Sequence, residues 1–158
     1  MNWVRQDLQD KQDYKAFAEK SMKHEKTTRN IIGCAYRVHN TLGFGFLESL
    51  YKKAMIIEFS KMDLAFEVEK PMNVRYDGQV IGDFYIDLFV ENIVVVELKS
   101  VKAIIKAHEV QLVNYLSGME LDFGLLINFG PNGVDVKRKF RRAAIEHQRE
   151  DRINMIYR

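Results

Sequence analysis

Hydrophobic residues in the first third of the chain recur at the spacing of a helix. Between residues 28 and 42 they predict a helix that begins at Thr27 or Thr28 and ends before Gly43, a residue typical of helix ends. A second helix is expected after Gly43-Phe44-Gly45. The two apolar stripes consist of Ile31, Ile32, Ala35, Val38 and Leu42, and of Leu47, Leu50, Tyr51, Ala54 and Ile57. The chain is therefore expected to open with a pair of amphipathic helices.

The hydrophobic period then changes to two, which predicts a series of strands. Pro71 interrupts the first strand and favours an edge position, because proline has no N–H to donate to a neighbouring strand. Asp77-Gly78 is a strong signal for a hairpin turn, and Glu91-Asn92 predicts the next turn. The run from Ile93 to Lys99 starts with continuous apolar residues, so we expect a central strand covered on both faces.

The remaining residues predict a helix over 105–117, strands over 123–128 and 134–140, and a closing helix over 142–156. Helices and strands thus follow the order αα, βββ, α, ββ, α. This order predicts an α/β fold of mixed α+β type, with a central mixed β-sheet flanked by helices. We divide the chain into a helical N-terminal extension (1–26), a core domain (27–140) and a basic C-terminal helix (141–158).

Composition narrows the class of protein. The chain has 158 residues, of which 47% are hydrophobic and 29% charged, as in an ordinary globular domain. A single cysteine, Cys34, excludes an internal disulfide and cysteine-rich metal sites, and the four histidines show no zinc-ligand spacing. No apolar stretch approaches the length of a membrane span or of a signal peptide. We therefore expect a cytoplasmic protein with no membrane partner.

Positive charge is concentrated at the C-terminal end. The net charge is +2, but residues 137–158 contain eight basic and three acidic side chains. Such a block can form an electrostatic footprint for phosphates, with Lys137, Lys139 and Arg142 as the candidate nucleic-acid contacts. The alternative that these charges only solvate the surface is equally open.

Two acidic residues on neighbouring predicted strands are candidates for chemistry. Alternation along the strand places Glu97 and Lys99 on one face, and pairing through the intervening turn brings Asp87 near Glu97. Two carboxylates about 4 Å apart repel by roughly 4 kcal/mol at an effective dielectric constant of 20. Lys99 compensates this repulsion in part, and a divalent cation would compensate it further. Asp83, on the same predicted face as Asp87, is the rival ligand.

The order Asp87, then Glu97-Leu98-Lys99, resembles the active-site pattern of the PD-(D/E)XK nuclease superfamily, with Ile86 where the superfamily name has proline. Residues 45–51 read G-x-x-E-x-x-Y. Together with the segments over 108–116 and 124–130, these motifs resemble the bacterial and archaeal GxxExxY protein family within that superfamily. The resemblance covers roughly residues 27–140.

This resemblance implies a restriction-endonuclease-like core and a nuclease that hydrolyses phosphodiester bonds of DNA or RNA with Mg²⁺, or with Mn²⁺ in its place. It implies that Asp87 and Glu97 hold the metal and that Lys99 orients or activates the attacking water. Glu48 and Gln111 would complete the catalytic site. Two alternatives stay open: a catalytically silent nucleic-acid-binding or regulatory module on the same fold, and a protein-interaction adaptor. A homodimer is also left open.

Overall fold

The computed structural model describes residues 2–141, and the side chains among them from residue 15 onward except that of residue 17. The predicted closing helix, with Arg142, lies outside the described residues. Within them, three helices and five strands follow one another: α1 (Asn2–Leu42), α2 (Glu48–Lys61), β1 (Phe66–Tyr76), β2 (Gln79–Val90), β3 (Val94–Lys99), α3 (Lys106–Gly118), β4 (Phe123–Gly130) and β5 (Gly133–Phe140). None of the described helices is long and apolar enough to cross a membrane.

The five strands form one mixed sheet in the spatial order β1-β2-β3-β4-β5. Neighbouring strands are antiparallel except β3 and β4, which are parallel and connected through α3. β1 is an edge strand and so tolerates Pro71, while β3 is central and buried, as predicted. Asp77 and Gly78 both have positive φ, which the tight hairpin turn between β1 and β2 requires. The predicted mixed sheet with flanking helices is confirmed.

Helices cover the sheet on both faces and create two hydrophobic cores. α1 and α2 pack on one face, where their apolar residues meet Leu88, Val96 and Leu98 of the central strands. α3 packs on the other face against a smaller core. Gly124 on β4 permits the close approach of α3, because a Cβ there would lie 2.9 Å from Leu112 Cδ1. The sheet is therefore the middle layer of three.

The expected start of the first helix at Thr27 or Thr28 is wrong. α1 runs without a break from Asn2 to Leu42, and both threonines are buried inside it. Residues 15–26 include four Lys, two Ala, two Glu and one Met, which are strong helix formers, and Arg29 pairs with Glu25 one turn earlier at 3.0 Å. The local preference for helix therefore continues through the threonines.

The expected apolar stripe of the second helix is also wrong in part. Tyr51, Met55 and Phe59 form the buried face of α2, whereas Leu47 and Ile57 are 74% and 57% exposed. The buried residues are spaced four apart, so they lie one above another along the helix. Hydrophobic residues surround much of this helix, and the pattern alone did not identify the side that faces the sheet.

Candidate active site

The regular alternation of β2 breaks at Asp87. The sequence places Phe84, Ile86 and Leu88 on one face, but Ile86 packs in the core beneath α3 and Leu88 in the core beneath α1 and α2. On β1, the residues on either side of Glu69 pair with Leu88 and Ile86, while Glu69 itself has a positive φ of 51°. The expected alternation is therefore wrong at Leu88, because β2 changes face at Asp87, opposite the irregular backbone of Glu69.

Strands β2 and β3 also part at this position. Their backbone pairing covers three residue pairs and ends at Leu88 and Val96, so Asp87 and Glu97 are the next residues on the two strands. Here a side chain replaces a backbone carbonyl as the hydrogen-bond acceptor. The N–H of Leu98 donates to Asp87 Oδ2 at 2.9 Å. The gap between the strands is therefore lined by carboxylates rather than by paired backbone.

A lysine from α2 neutralises part of this acidic gap. Lys52 Nζ donates to Asp87 Oδ1 and to Glu69 Oε1, each at 3.0 Å. Burial opposes the charged form of Lys52, but the hydrogen bonds to Asp87 and Glu69 outweigh it and raise its pKa. Both oxygens of Asp87 are thus held, one by Lys52 and one by the backbone of β3.

The negative charge of Glu97 has fewer hydrogen-bond partners than that of Asp87. It is 5% exposed, its Oε1 accepts a hydrogen bond from Lys99 Nζ at 3.0 Å, and its Oε2 is buried without a hydrogen-bond partner. Burial, followed by the negative charge of Asp87, raises the pKa of Glu97 to about 7, although Lys99 acts in the opposite direction. A buried carboxylate oxygen without a partner is costly, and it indicates a place for a ligand.

Glu48 joins this group from the start of α2. Burial, and then the charge of Asp87, raises the pKa of Glu48, while Lys99 and Lys52 act against that shift. The pKa of Lys99 is also raised, because the attraction of Glu97, Glu48 and Asp87 exceeds the effect of burial. The structure therefore brings Glu48, Asp87, Glu97 and Lys99 into one electrostatically coupled cluster.

The loop before Glu48 is tied to the end of β3. The Tyr51 hydroxyl donates to the carbonyl of Gly43 at 2.5 Å, and its ring stacks on Phe129 with 4.3 Å between centroids. Ser100, immediately after β3, donates its hydroxyl to the carbonyl of Phe46 at 2.7 Å. Both bonds fix where α2 begins, and hence where Glu48 lies relative to Lys99.

Gln111, on α3, is connected to the cluster through Tyr115. Its Nε2 donates to the Tyr115 hydroxyl at 2.7 Å rather than to a carboxylate. Burial raises the pKa of Tyr115, the hydrogen bond from Gln111 opposes this, and the charge of Glu97 adds to it. Gln111 is therefore linked to the carboxylates only through Tyr115, on whose hydroxyl the charge of Glu97 acts.

Other candidate residues lie apart from this cluster or already have partners. Asp83 is exposed and faces Asn73 of β1 in the outer half of the hairpin. On β5, Lys139 forms an ion pair with Glu109 of α3, and Lys137 lies 3.6 Å from Asp135. A nucleic-acid role for Lys137, Lys139 and Arg142 stays a prediction.

The donor atoms of the cluster suit a hard divalent cation. Among the side chains that the structure describes (residues 15–141 without residue 17), no three histidine, cysteine, aspartate or glutamate side chains are grouped as a metal cage. Mg²⁺ is commonly bound by one or two carboxylates and keeps several waters, so a full protein cage is not required. Asp87 supplies an ordered carboxylate and Glu97 supplies the buried Oε2 that has no partner. These two residues fit Mg²⁺ or Mn²⁺.

Two residues of the cluster were not identified from the sequence. Lys52 lies four positions after Glu48, so helical spacing places both on one side of α2, and this signal could have indicated it. Glu69 had no such signal, because its role depends on the local irregularity opposite Asp87.

Comparison with known proteins agrees with the geometry. The family model for the PD-(D/E)XK nuclease superfamily matches residues 25–143, and the chain therefore belongs to this superfamily. Its nucleases typically use divalent metals and act on nucleic acid. Membership of the narrower GxxExxY family stays a prediction.

One solved structure, that of a protein named SSO0001, is similar to this chain at 19% sequence identity and a TM-score of 0.48. The match covers 68% of this chain and 58% of that chain, so this chain spans somewhat more than half the length of that protein. No curated protein matches the sequence.

Proposed function

We propose that this protein is a nuclease that hydrolyses phosphodiester bonds of DNA or RNA and depends on Mg²⁺ or Mn²⁺. The observation that carries the proposal is the buried Oε2 of Glu97, which has no partner and lies in the same cluster as Asp87 and Lys99. Superfamily membership supports the same class of reaction. Asp87 and Glu97 are the residues that would hold the cation.

A divalent cation, when bound, lowers the pKa of a coordinated water and neutralises charge on the phosphate. Lys99 supplies a compact positive charge beside Glu97, suited to orienting the water and stabilising negative charge on the phosphate. Glu48 offers a further carboxylate to accept a hydrogen bond from that water. Lys52 keeps Asp87 in a fixed orientation through its bond to Oδ1.

The electrostatics of the cluster favour binding of a cation. Three carboxylates, those of Glu48, Asp87 and Glu97, are coupled to one another, and their neighbours include the ammonium groups of Lys52 and Lys99. Burial makes the repulsion among the carboxylates stronger than it would be in water. Binding of a cation relieves this repulsion, so affinity for the metal is built into the folded state.

The proposal is tested with labelled single-stranded and double-stranded DNA and RNA, incubated with Mg²⁺, Mn²⁺ or EDTA. We expect metal-dependent cleavage by the wild type and its loss in Lys99→Ala. The metal-induced rise in melting temperature should persist in Lys99→Ala, because lysine is not a ligand. Lys102→Ala, which removes an exposed lysine three residues further along, is the matched control and should retain cleavage.

Two other outcomes would contradict the proposal, and a third would change the role assigned to Lys99. Salt-dependent binding without cleavage would indicate a silent nucleic-acid-binding module, and the absence of binding would favour a protein adaptor. Loss of metal affinity in Lys99→Ala equal to that in Asp87→Asn would show that Lys99 mainly holds the carboxylates in place.

A further inference from the structure

A groove of about 760 Å³ lies between α3 and the outer part of the β1–β2 hairpin. Asn73 and Arg75 of β1 and Phe84 of β2 line one side, and Gln111, Asn114 and Tyr115 of α3 line the other. Its volume falls within the range of roughly 300–1,000 Å³ that is typical of ligand pockets. The groove therefore has room for a small part of a polymer, such as a nucleotide.

The groove lies on the same face of the sheet as Glu97, because Tyr115 packs with Val95 in the core beneath α3 and Glu97 lies two residues further along β3 on that face. Gln111 and Tyr115 line the groove and are joined by a hydrogen bond of 2.7 Å. The charges of Glu97, Lys99 and Asp87 all act on the Tyr115 hydroxyl. A ligand held in the groove would consequently lie on the side of the sheet that carries Glu97 and Lys99.

The chemistry of the groove suits a nucleic-acid strand. Phe84 remains 43% exposed although its ring packs at 51° against Tyr115, with 5.9 Å between centroids. Arg75 provides a positive charge, and the amides of Asn73 and Asn114 provide hydrogen-bond donors and acceptors. No aspartate or glutamate lines the groove as described. An aromatic face, a cation and amide groups are the components that bind bases and phosphates of single strands.

We propose that this groove binds an unpaired segment of the substrate strand next to the phosphodiester bond that is cleaved. The inference deepens the proposed function and rests on it for the identity of the substrate. A base contributes stacking energy to Phe84 only when it is unstacked from its neighbours, which a regular duplex does not permit. The preferred substrate is therefore single-stranded, or contains a single-stranded region at the cleavage site.

The first test measures binding in EDTA, so that cleavage does not occur. The probes are a fluorescently labelled single-stranded oligonucleotide and a hairpin duplex of the same sequence. We expect tighter binding of the single strand, and a loss of about 5- to 150-fold in Phe84→Ala, equivalent to about 1–3 kcal/mol for one stacked base. Phe84→Leu keeps an apolar contact with Tyr115 and should show the same direction of change.

Tyr85→Ala is the matched control for the loss of an aromatic ring. Tyr85 is the next residue on β2, is 62% exposed and does not line the groove, so its removal should leave affinity unchanged. Arg75→Gln should reduce the slope of log affinity against log salt by about 0.7 for a single strand. Arg29→Gln, on the exposed side of α1, should leave that slope unchanged.

Equal losses in Phe84→Ala and Tyr85→Ala, or equal affinity for the duplex and the single strand, would overturn the inference. The proposed hydrolysis is judged separately by cleavage in Mg²⁺. Cleavage without dependence on Phe84 would refute only the groove as a strand-binding site. Phe84-dependent binding of single strands without cleavage would refute only the hydrolytic activity.

Discussion

Two groups of charged residues in this protein are balanced in different ways. Near the surface between α1 and α2, Glu58 accepts hydrogen bonds from Arg37 at 2.6 Å and from Lys61 at 2.7 Å. These bonds lower the pKa of Glu58. In the acidic cluster, Glu97 has Lys99 as its hydrogen-bonded cation, one of its oxygens has no partner, and its pKa is raised to about 7.

The difference separates a structural charge group from a candidate functional one. The chain supplies enough positive charge to keep Glu58 ionised, and nothing further is needed there. Around Glu97 the described side chains leave an excess of negative charge, which costs stability and which a bound cation would relieve. A buried carboxylate with too few positive charges around it is therefore more informative about function than the number of ion pairs in the protein.

The largest expected difference between the two groups is in their response to metal. At a Mg²⁺ concentration 100 times the dissociation constant, binding to the native state adds about 2.7 kcal/mol to the free energy of unfolding. Asp87→Asn should abolish this gain, and Glu58→Gln should preserve it, because Glu58 lies outside the cluster. Thermal unfolding with and without Mg²⁺ measures both. An identical gain in the wild type and in Asp87→Asn would remove the metal-site assignment.

The two glutamates should also show opposite dependence on pH in the absence of metal. The native state raises the pKa of Glu97, so it binds more protons than the unfolded chain between about pH 4.5 and 7. The free energy of unfolding should therefore fall as pH rises through this window, by at most about 3 kcal/mol. Glu97→Gln should remove most of this fall when unfolding by urea is measured across the window, and the remainder should come from Glu48, whose pKa is also raised.

Glu58 provides the contrasting case. Its native pKa is lowered, so its contribution to stability is present above the ordinary pKa of glutamate and is lost as pH falls through the native value. Glu58→Gln should weaken stability at neutral pH by less than about 1 kcal/mol, as is usual for ion pairs near the surface. If the full fall in the free energy of unfolding between pH 5 and 7 persisted in Glu97→Gln, a group other than Glu97 would be responsible for it.

Replacing Lys52 tests whether its hydrogen bond to Asp87 helps the cluster to bind a metal ion. Lys52→Met removes the donor to Asp87 Oδ1 and leaves a buried carboxylate less well oriented. We expect metal affinity to fall about tenfold, at the lower end of the effect of groups that orient metal ligands. Calorimetric titration with Mn²⁺ measures this, and Lys53→Met at the neighbouring exposed position is the control. Tighter binding in Lys52→Met would show that the lysine competes with the metal.

The smallest effect is expected for the lysines of β5, which resemble Glu58 in having partners within the chain. Lys139 pairs with Glu109, and Lys137 lies near Asp135. Replacing both lysines with glutamine should reduce the slope of log affinity against log salt by at most about two units on duplex DNA. An unchanged slope would mean that these charges only solvate the surface.

The regular parts of the fold could be predicted from sequence because their signals are local. The Asp77-Gly78 turn, the edge position of the strand with Pro71 and the buried central strand all follow from residue type and alternation. The pairing of Asp87 with Glu97-Leu98-Lys99 was equally accessible, since one turn connects the two strands. These features depend on residues within one strand or on two strands joined by a single turn.

The remaining features depend on tertiary contacts. The buried side of α2 is decided by the sheet it packs on, which selects Met55 and Phe59 over Ile57. The change of face in β2 depends on the left-handed backbone of Glu69 on a neighbouring strand. Lys52 becomes a partner of Asp87 only when α2 packs on this sheet, so no short window of sequence contains the information.

The parallel pairing of β3 and β4 has a consequence for the order of folding. The β1–β2 and β4–β5 hairpins join adjacent segments, whereas the parallel pair connects residues 95 and 124 and requires α3 to cross the sheet first. Contacts distant in sequence form late, because closing a longer segment costs more chain entropy. The acidic cluster combines α2, one hairpin and the strand of the parallel pair. In a refolding reaction, affinity for the metal should therefore appear after the hairpins have formed, as a signal that the chain has reached its native topology.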